Sequence, residues 1–458
     1  MGKYTEEYKE CLNFIDGFWA ELIHDPKASQ GDSHIIPLPN TFLSPNAVSH
    51  MHWKNSMFYW DSFFMFRGLI DTERDWVIPE VVDNFVYLFN TFGIIPNASV
   101  WAFLGHSQPP FFSSMIFDAY YVLQRTTAGS PQEYGKSPYI RRWLENRMKV
   151  VKEEYWKVWE DKGTYTHKVE DYGLSRYGDR DVGYALTSER ESGWDFTTRF
   201  YNRCNDFLPV DLNSYLHKYE KDFAKVANIL GNEKEENYWE DRASERHKRM
   251  KKYMWNEEKG FFFDYDFKND LQSEFYSLAG FVPLWSKLAS IEEATRAKEK
   301  LNLFETDYGL TITAKHSIPA DPFNFEHIPE AFRLSIEELM EPKQWDYPHI
   351  WPPVEYLVVI GLLRYGFVED AQRIMEKSVR ANFKVYQKYG YLLEKLDALT
   401  GEKPKDFWYA AQLGFGWTNA VFYRYVKILD LIDSKGGKIY SDKVLESGAP
   451  YSLTGILH

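Results

Sequence analysis

The sequence contains little cysteine and no long apolar run. Cys11 and Cys204 are its two cysteines, too few for a disulfide framework. The polar start MGKYTEEYKE lacks the basic and apolar regions of a signal peptide. The longest purely aliphatic stretch lies within YLVVIGLL, residues 356–363, whereas a membrane-spanning helix needs roughly 20 residues. We therefore expect a soluble, cytoplasmic protein without a membrane partner.

An excess of positive charge and several sequence templates are also missing. Lys and Arg number 54 against 67 Asp and Glu, which gives a net charge of −13 and no obvious basis for nucleic-acid binding. The sequence has no glycine-rich turn of the dinucleotide or P-loop type, no H-E-x-x-H, no paired C-x-x-C and no G-x-S-x-G. We therefore expect no metal, no organic cofactor and no nucleic-acid partner.

Aromatic residues are abundant instead. The 458 residues include 33 Phe, 32 Tyr and 16 Trp, or 18% of the chain, beside 26% charged residues. This mixture is typical of a folded protein and excludes disorder. Because no linker rich in Pro, Ser or Gly interrupts the chain, we predict a single domain over residues 1–458. A monomer and a homodimer are both compatible with this composition.

Apolar residues recur at helical spacing in paired segments. One helix is predicted from Tyr215 to Leu230, with a stop at Gly231, and a more charged one from Glu235 to Met254. The same pattern returns after Pro353 and continues in a helix from Val368 to Tyr386. We therefore predict an all-α architecture. Periodicity alone leaves a helical toroid, a superhelical repeat and a bundle open.

Segments rich in Trp, Asp, Asn, Gln and Pro lie outside this periodicity. They read FYWDSFF, IIPNAS, HSQPP, ESGWDF, KQWDYPHIWPP, EKLD and GFGWTN. Sugars present apolar C–H faces and a rim of hydroxyl groups, so a sugar site needs aromatic rings beside carboxylate and amide side chains. Any one segment is equally consistent with buried tryptophans and helix caps. Together they indicate a carbohydrate-binding pocket.

Two carboxyl groups in these segments suit the hydrolysis of a glycosidic bond, which uses one protonated and one ionised carboxyl. Asp195 has an aromatic residue on either side, and an apolar environment raises the pKa of a carboxyl toward that of a general acid. Glu394 is followed by a lysine, whose charge would favour an ionised base if the two side chains approach. Asp61 and Asp346 are alternatives that could equally bind sugar hydroxyl groups.

These motifs resemble those of the trehalases of glycoside hydrolase family 37 and their relatives in family 63. The matching stretches are GIIPNASVWAFLGHSQPP, ESGWDFTTRF with FLPVDLNSYL, QWDYPHIWPP, and EKLD followed by GFGWTN, and they occur in the family's order. The resemblance implies an (α/α)6 barrel with short β-hairpins and long loops around the pocket. It also implies an inverting α-glycosidase with Asp195 as the general acid and Glu394 as the general base.

The resemblance also implies which side chains surround the sugar. Arg199, Asp211 and Asn213 are expected in or behind the pocket wall. The residues predicted to bind the sugar are Tyr59, Trp60, Asp61, Asn97, Gln108, Trp194, Trp345, Asp346, Trp351 and Trp417.

The arginine motifs of trehalases are missing from the chain. SHMHWKNSMFYWDS stands in place of P-G-G-R-F, and Val100 stands where a second arginine follows P-N-G-N. The third arginine motif, R-P-E-S-Y, is missing from LSRYGDRDVGYALTSERESGWD, and TGEKPKDFWYAAQL replaces G-G-G-G-E. By the resemblance, those groups would contact the second glucose. We therefore predict a retained subsite for the cleaved sugar and a rebuilt one for the leaving group, with a small α-glucoside or oligosaccharide as substrate.

Other functions remain open at this level. The chain could be a true trehalase, or a hydrolase of glucosyl- or mannosylglycerate whose carboxylate is bound by Lys54, Arg190 or His349. A carbohydrate-binding protein would keep the pocket without needing its two carboxyl groups. A phosphorylase would use inorganic phosphate, which makes a water-activating base such as Glu394 unnecessary.

Overall fold

The fold is built mainly from α-helices. The computed structural model describes residues 2–48, 54–127, 135, 137–161, 167–178, 185–317, 343–405 and 410–434. The helices in these ranges are α1 Lys3–Glu7, α2 Lys9–Leu22, α3 Tyr59–Leu69, α4 Val77–Phe92, α5 Phe112–Thr127, α6 Pro138–Glu154, α7 Ala185–Glu191, α8 Val210–Leu230, α9 Glu233–Met254, α10 Val282–Trp285, α11 Ile291–Lys298, α12 Pro352–Arg364, α13 Val368–Tyr389 and α14 Gly416–Ser434. The prediction of an all-α protein is confirmed.

The strands have two residues each and pair antiparallel in the connecting segments. They are β1 Ile23–His24 with β2 Phe42–Leu43, β3 Lys168–Val169 with β4 Leu174–Ser175, β5 Phe207–Leu208 with β8 Tyr265–Asp266 and β9 Leu271–Gln272, β6 Trp255–Asn256 with β7 Phe261–Phe262, and β10 His349–Ile350 with β11 Leu396–Asp397. The described residues also include short 3₁₀ helices at Pro26–Ser29, Trp101–Phe103, Cys204–Asp206, Leu278–Phe281, Glu299–Leu303 and Lys315–Ser317, and a π-helix at Tyr155–Trp159.

Local sequence accounts for several helix ends. Helix α8 ends at Gly231, which takes the left-handed conformation with φ +77°, as the sequence predicts. Asn232 then caps α9, because its side chain accepts a hydrogen bond from the backbone N–H of Glu235. Helix α8 begins earlier than predicted, at Val210, because the buried polar side chain of Asp211 breaks the apolar pattern without breaking the helix.

Six of the described helices form an inner ring. Each packs on the next in the order α3, α5, α8, α10, α12, α14, and α14 packs back on α3. Every residue of α3 and α12 is buried. A helix that is buried on all sides belongs in the interior of a protein, which explains the apolar sequence of α12.

An outer layer surrounds this ring and consists of α2, α4, α6, α9, α11 and α13. These helices bury one side only; α9, for example, buries Trp239, Ala243, Arg246, Met250 and Met254 among its 22 residues. Alternation of inner and outer helices along the chain gives the (α/α)6 arrangement. One large hydrophobic core contains residues from Tyr4 to Ile432. The single domain over residues 1–458 stays a prediction.

The ring closes where the last described helix meets the first inner one. The guanidinium of Arg424 on α14 donates to the carbonyl oxygens of Arg67, at 2.7 Å, and of Ile70, at 3.2 Å. Gly68 lies at the same contact, and a Cβ atom placed there would be 2.7 Å from the Cα atom of Ala420. A glycine is needed at this position because the two backbones approach so closely.

We expect Gly68→Ala to lower the free energy of unfolding by about 1–3 kcal/mol, as overpacking does in other cores. Gly17→Ala is the matched control, because Gly17 lies within α2 and a Cβ atom there would meet nothing within 4 Å. That variant should be up to about 1 kcal/mol more stable than the wild type. Denaturant unfolding of both variants measures the difference; equal stabilities would contradict the close approach of α3 and α14.

Within the described residues, no helix is both long and apolar enough to cross a membrane.

Candidate active site

A pocket of about 500 Å³ opens at one end of the inner ring. Its walls come from the segments that lead into the inner helices, so the N-terminal ends of α3, α12 and α14 lie beside it. The sequence-predicted residues that line the pocket are Trp60, Asp61, Asn97, Gln108, Asp195, Trp345, Trp351, Glu394 and Trp417. The fold therefore brings together the two predicted catalytic carboxyl groups and seven of the predicted sugar-binding residues.

Tryptophan rings form much of the wall. Trp345 and Trp351 stack with their centroids 3.8 Å apart and their planes 5° from parallel. Trp60 lies 5.7 Å from Trp345 and 6.3 Å from Trp417, in the latter case edge to face. Flat apolar surfaces of this kind suit the C–H faces of a sugar ring.

Three predicted sugar-binding residues lie behind the lining. Trp194 stacks on Trp345, with 5.8 Å between the ring centroids. The Tyr59 hydroxyl donates to Glu154 at 2.9 Å, on the side away from the pocket. The Asp346 carboxylate is fully buried and accepts hydrogen bonds from the backbone N–H of Thr198 at 3.1 Å and from other groups of the Asp195 loop. These three side chains support the wall, and we propose no direct sugar contact for them.

Asp195 follows α7 in a loop that is bound to the segment around Trp345. The backbone N–H of Trp345 donates to the carbonyl oxygen of Phe196 at 3.1 Å, and the Gln344 side-chain amide donates to the carbonyl oxygen of Asp195. These bonds use the backbone of the loop and leave the Asp195 carboxyl group to line the pocket.

The pKa of Asp195 is raised to about 7. Burial is the main cause, and the negative charge of Glu394 adds to it. A hydrogen bond from the backbone N–H of Asp195 itself and the positive charges of Arg190 and Lys395 act in the opposite direction. A carboxyl group in this environment keeps its proton close to neutral pH, as a general acid must.

Glu394 reaches the pocket from the segment between α13 and α14. Its backbone N–H donates to the carbonyl oxygen of Gln412 at 2.9 Å, and its own carbonyl oxygen accepts from the Trp417 indole at 3.0 Å. The Gln412 amide lies 3.5 Å from the Glu394 carboxylate. The pairing of β10 with β11 places this segment beside the one that carries Trp351. Glu394 is therefore fixed on both sides by backbone contacts.

Asp61 is a third carboxyl group in the pocket. It lies in the first turn of α3 and is almost entirely buried. Burial, followed by the negative charges of Glu394 and Asp195, raises the pKa of Asp61 well above its ordinary value. The three carboxyl groups are thus close enough to influence one another electrostatically.

Lys395, the cation next to Glu394 in the sequence, is buried beside the pocket. Its ammonium group donates to the Gln344 side-chain oxygen at 2.9 Å and lies 4.7 Å from the centroid of the Trp351 ring. Its positive charge also lowers the pKa of Asp195. This lysine therefore influences the predicted acid, although in the sequence it is the neighbour of the predicted base.

Several lining residues were absent from the predicted site. Some of them lie in or directly beside the motifs, and their closeness to predicted residues in the sequence indicates a place in the site. Ser44, Pro45 and Asn46 lie outside every motif, so nothing in the sequence points to them. The lining residues in or beside motifs are Phe58, Phe103, His106, Gly193, Gln412 and Phe415.

The candidate cations and supporting polar residues take different positions. Lys54 and Arg190 line the pocket, whereas His349 is buried against the carbonyl oxygen of Asp346, and burial lowers its pKa to about 4. The expectation that His349 could bind a leaving-group carboxylate is therefore wrong.

Arg199 is fully buried with both its carboxylate partners, Asp211 at 2.8 Å and Asp264 at 2.7 Å. Asn213 donates to the carbonyl oxygen of Ser175 at 2.8 Å, away from the lining.

Parts of the motif differences lie outside the described residues. These are residues 49–53 of the first arginine-motif replacement, residues 179–184 of the third, and residues 406–409 of the segment that replaces G-G-G-G-E.

A closed ring of helix pairs with a tryptophan-walled pocket and paired carboxyl groups defines the class of (α/α)6-barrel glycoside hydrolases. Within that class, the family model of trehalase matches residues 4–430, and the chain belongs to the trehalase family. The predicted resemblance to trehalases, the (α/α)6 fold and the assignment as a glycoside hydrolase are confirmed.

Similar proteins span nearly the whole chain. A trehalase of Apis mellifera is 28% identical over 488 aligned positions, which cover 95% of this chain and 70% of the relative. A periplasmic trehalase of Escherichia coli O8 (strain IAI1) is 29% identical over 464 positions, covering 94% of this chain and 76% of the relative.

Solved structures show the same fold. The neutral trehalase of Saccharomyces cerevisiae superimposes with a TM-score of 0.71 and 25% identity, covering 91% of this chain and 79% of that one. A mannosylglycerate hydrolase of glycoside hydrolase family 63 from Thermus thermophilus gives a TM-score of 0.59 at 16% identity, covering 87% and 98%, and shares the fold.

Proposed function

We propose that this glycoside hydrolase cleaves a small α-glucoside with inversion, using Asp195 as the general acid and Glu394 as the general base. One observation carries the proposal. The two carboxyl groups come from segments far apart in the sequence and line the same pocket. Burial, with a smaller contribution from the charge of Glu394, raises the pKa of Asp195.

The electrostatic environment supports this division of roles. Asp195, with a pKa of about 7, can give its proton to the departing glycosidic oxygen. Glu394 then acts as the ionised base and accepts a proton from the attacking water. The water attacks the anomeric carbon as the glycosidic bond breaks, so an α-glucoside gives β-glucose. The tryptophans that line the pocket contact the apolar side of the sugar, and Asp61 accepts from its hydroxyl groups.

The missing arginine motifs favour a substrate other than trehalose. Phe58, Phe103 and Phe415 line the pocket, together with the cations Lys54 and Arg190. Trehalose remains the first alternative, since the named relatives are trehalases. A glucoside of glycerate is the second, because Arg190 and Lys54 both reach the pocket and could pair with its carboxylate.

The test is a screen of the purified protein against trehalose, kojibiose, nigerose, maltose, isomaltose, glucosylglycerate and mannosylglycerate, with neutral glucosylglycerol as the matched partner of glucosylglycerate. We expect proton NMR to show β-glucose as the first product from the cleaved residue. Trehalose would give α- and β-glucose in equal initial amounts, because only the cleaved half inverts.

Three results would contradict the proposal. Initial release of α-glucose alone would show retention and exclude Glu394 as the base. Turnover that requires phosphate would indicate a phosphorylase. Sugar binding without release of any reducing sugar would favour a carbohydrate-binding protein.

The cytoplasmic location remains a prediction. Both cysteines are buried free thiols, which is compatible with a reducing compartment, whereas relatives of the chain include periplasmic trehalases. Fractionation of the source cells measures the location.

A further inference from the structure

Gln344 lies between the two loops that carry the proposed catalytic carboxyl groups. Its side chain is buried, and it does not belong to the pocket lining. The amide nitrogen donates to the carbonyl oxygen of Asp195, and the amide oxygen accepts from the ammonium of Lys395 at 2.9 Å. Lys395 directly follows Glu394 in the chain. One amide group therefore connects the acid loop to the base loop.

The chemistry of the two partners fixes the orientation of this amide. A backbone carbonyl can only accept a hydrogen bond, and an ammonium can only donate one. The opposite orientation would place the amide oxygen against a carbonyl oxygen and the amide NH₂ against an ammonium. Both hydrogen bonds exist in one orientation only, so Gln344 cannot rotate its amide without losing both.

The backbone of Gln344 is fixed as well. Its carbonyl oxygen accepts from the Trp351 indole at 2.8 Å, and the Lys395 ammonium lies over the same Trp351 ring. On the acid side, the Asp346 carboxylate accepts from the Thr197 hydroxyl at 2.9 Å and from the backbone N–H of Thr198. The segment 343–346 is thus bound to the acid loop at several points, and Gln344 continues this connection to Lys395.

We propose that Gln344 is a positioning residue that sets the separation between the Asp195 and Glu394 carboxyl groups. The inference rests on the proposed function, because it concerns the geometry of that acid and base. An inverting mechanism needs the two groups roughly 6.5–9.5 Å apart with a water molecule between the base and the sugar. Loss of the amide would let one loop move relative to the other while the pocket walls remain.

The test compares Gln344→Met with the wild type on two substrates. One is the glucoside that is cleaved best in the screen, and the other is α-glucosyl fluoride, whose leaving group needs little protonation. We expect kcat on the glucoside to fall by about 10²-fold, since displacement by about 1 Å can have that effect. KM should change little, and the loss on the fluoride should be smaller because Asp195 is less needed there.

Two further variants keep the test decisive. Lys395→Met removes the other end of the connection and should lower kcat in the same direction if Gln344→Met fails to fold. The double variant should lose no more than the larger single loss, because both changes break one connection. Gln372→Met on α13 is the matched control; its amide donates to Glu376 on the same helix, away from the pocket lining, and its kcat should equal the wild-type value.

The outcomes separate this inference from the proposed function. Equal losses on both substrates with a lowered melting temperature would overturn it, because Gln344 would then only stabilise the fold. Unchanged kcat in Gln344→Met, beside an inactive Asp195→Asn variant, would overturn the inference and leave the proposed function intact. Full activity of Asp195→Asn would overturn both.

Discussion

The Asp195→Asn variant should lose about 10²- to 10⁴-fold in kcat/KM on a glucoside with a sugar leaving group. Asn has almost the same shape as Asp but has no acidic proton to give to the departing oxygen. The bonds that fix the loop use the backbone of Asp195 and the carboxylate of Asp346, so they survive the substitution. Initial rates and melting temperature of the purified variant measure activity and folding separately.

A second substrate shows whether the loss comes from missing protonation. Fluoride departs from α-glucosyl fluoride with little help from an acid, so Asp195→Asn should retain far more activity on it. Asp16→Asn is the matched control, since Asp16 is exposed on α2 and contacts Arg74 away from the pocket. Wild-type activity of Asp195→Asn on an unactivated glucoside would exclude Asp195 as the acid.

The pH dependence follows from the same group. Because the pKa of Asp195 is raised to about 7, its proton is present below that pH and is lost above it. The wild-type kcat/KM on a glucoside should therefore fall as the pH rises through about 7. On α-glucosyl fluoride, Asp195→Asn should lack this decrease. A wild-type profile without any decrease above neutral pH would contradict the assignment.

The Glu394→Gln variant should lose about 10²- to 10⁴-fold on the glucoside and on the fluoride alike. Water must be activated whichever group departs, and an amide cannot accept its proton. The contacts that hold the residue, with Gln412 and Trp417, use the Glu394 backbone and remain. Glu145→Gln on α6 is the matched control, because Glu145 pairs with Lys149 at the surface.

Azide gives an independent check of the base role. Azide is an anionic nucleophile that needs no deprotonation, so it should restore turnover of α-glucosyl fluoride by Glu394→Ala. The expected product is β-glucosyl azide, because the nucleophile approaches from the side opposite the fluoride. Formation of α-glucosyl azide would indicate a covalent intermediate and reject inversion. If instead Asp195→Asn were inactive on the fluoride and Glu394→Gln active, the two roles would be reversed.

Much of the helical framework could be predicted from the sequence. The helix ending at Gly231 and the helix beginning at Val368 follow from apolar spacing and from glycine as a stop. Closure of the ring could not be derived in this way, because it depends on a contact between residues at opposite ends of the chain, Gly68 and Ala420. Periodicity describes one helix at a time and contains no information on which helix it meets; the family resemblance supplied that step.

The sequence predicts which residues belong to the site better than it predicts which way each side chain points. Trp60 and Asp61 line the pocket, but Tyr59, the preceding residue, does not. Successive residues of an α-helix point about 100° apart, so neighbours in a motif cannot all face one cavity. Asp346 does not line the pocket for a different reason. Its carboxylate accepts a hydrogen bond from the backbone N–H of Thr198 in the Asp195 loop, and a sequence does not show which donors a carboxylate will meet.

The closure of the ring has a consequence for how the protein is made. Helix α3 is synthesised early, yet all of its residues become buried only when α14, near the end of the described chain, packs against it. The nascent chain on the ribosome must therefore carry an apolar helix whose final partner has not yet been translated. The apolar surface of α3 therefore favours aggregation of the nascent chain until α14 has been synthesised.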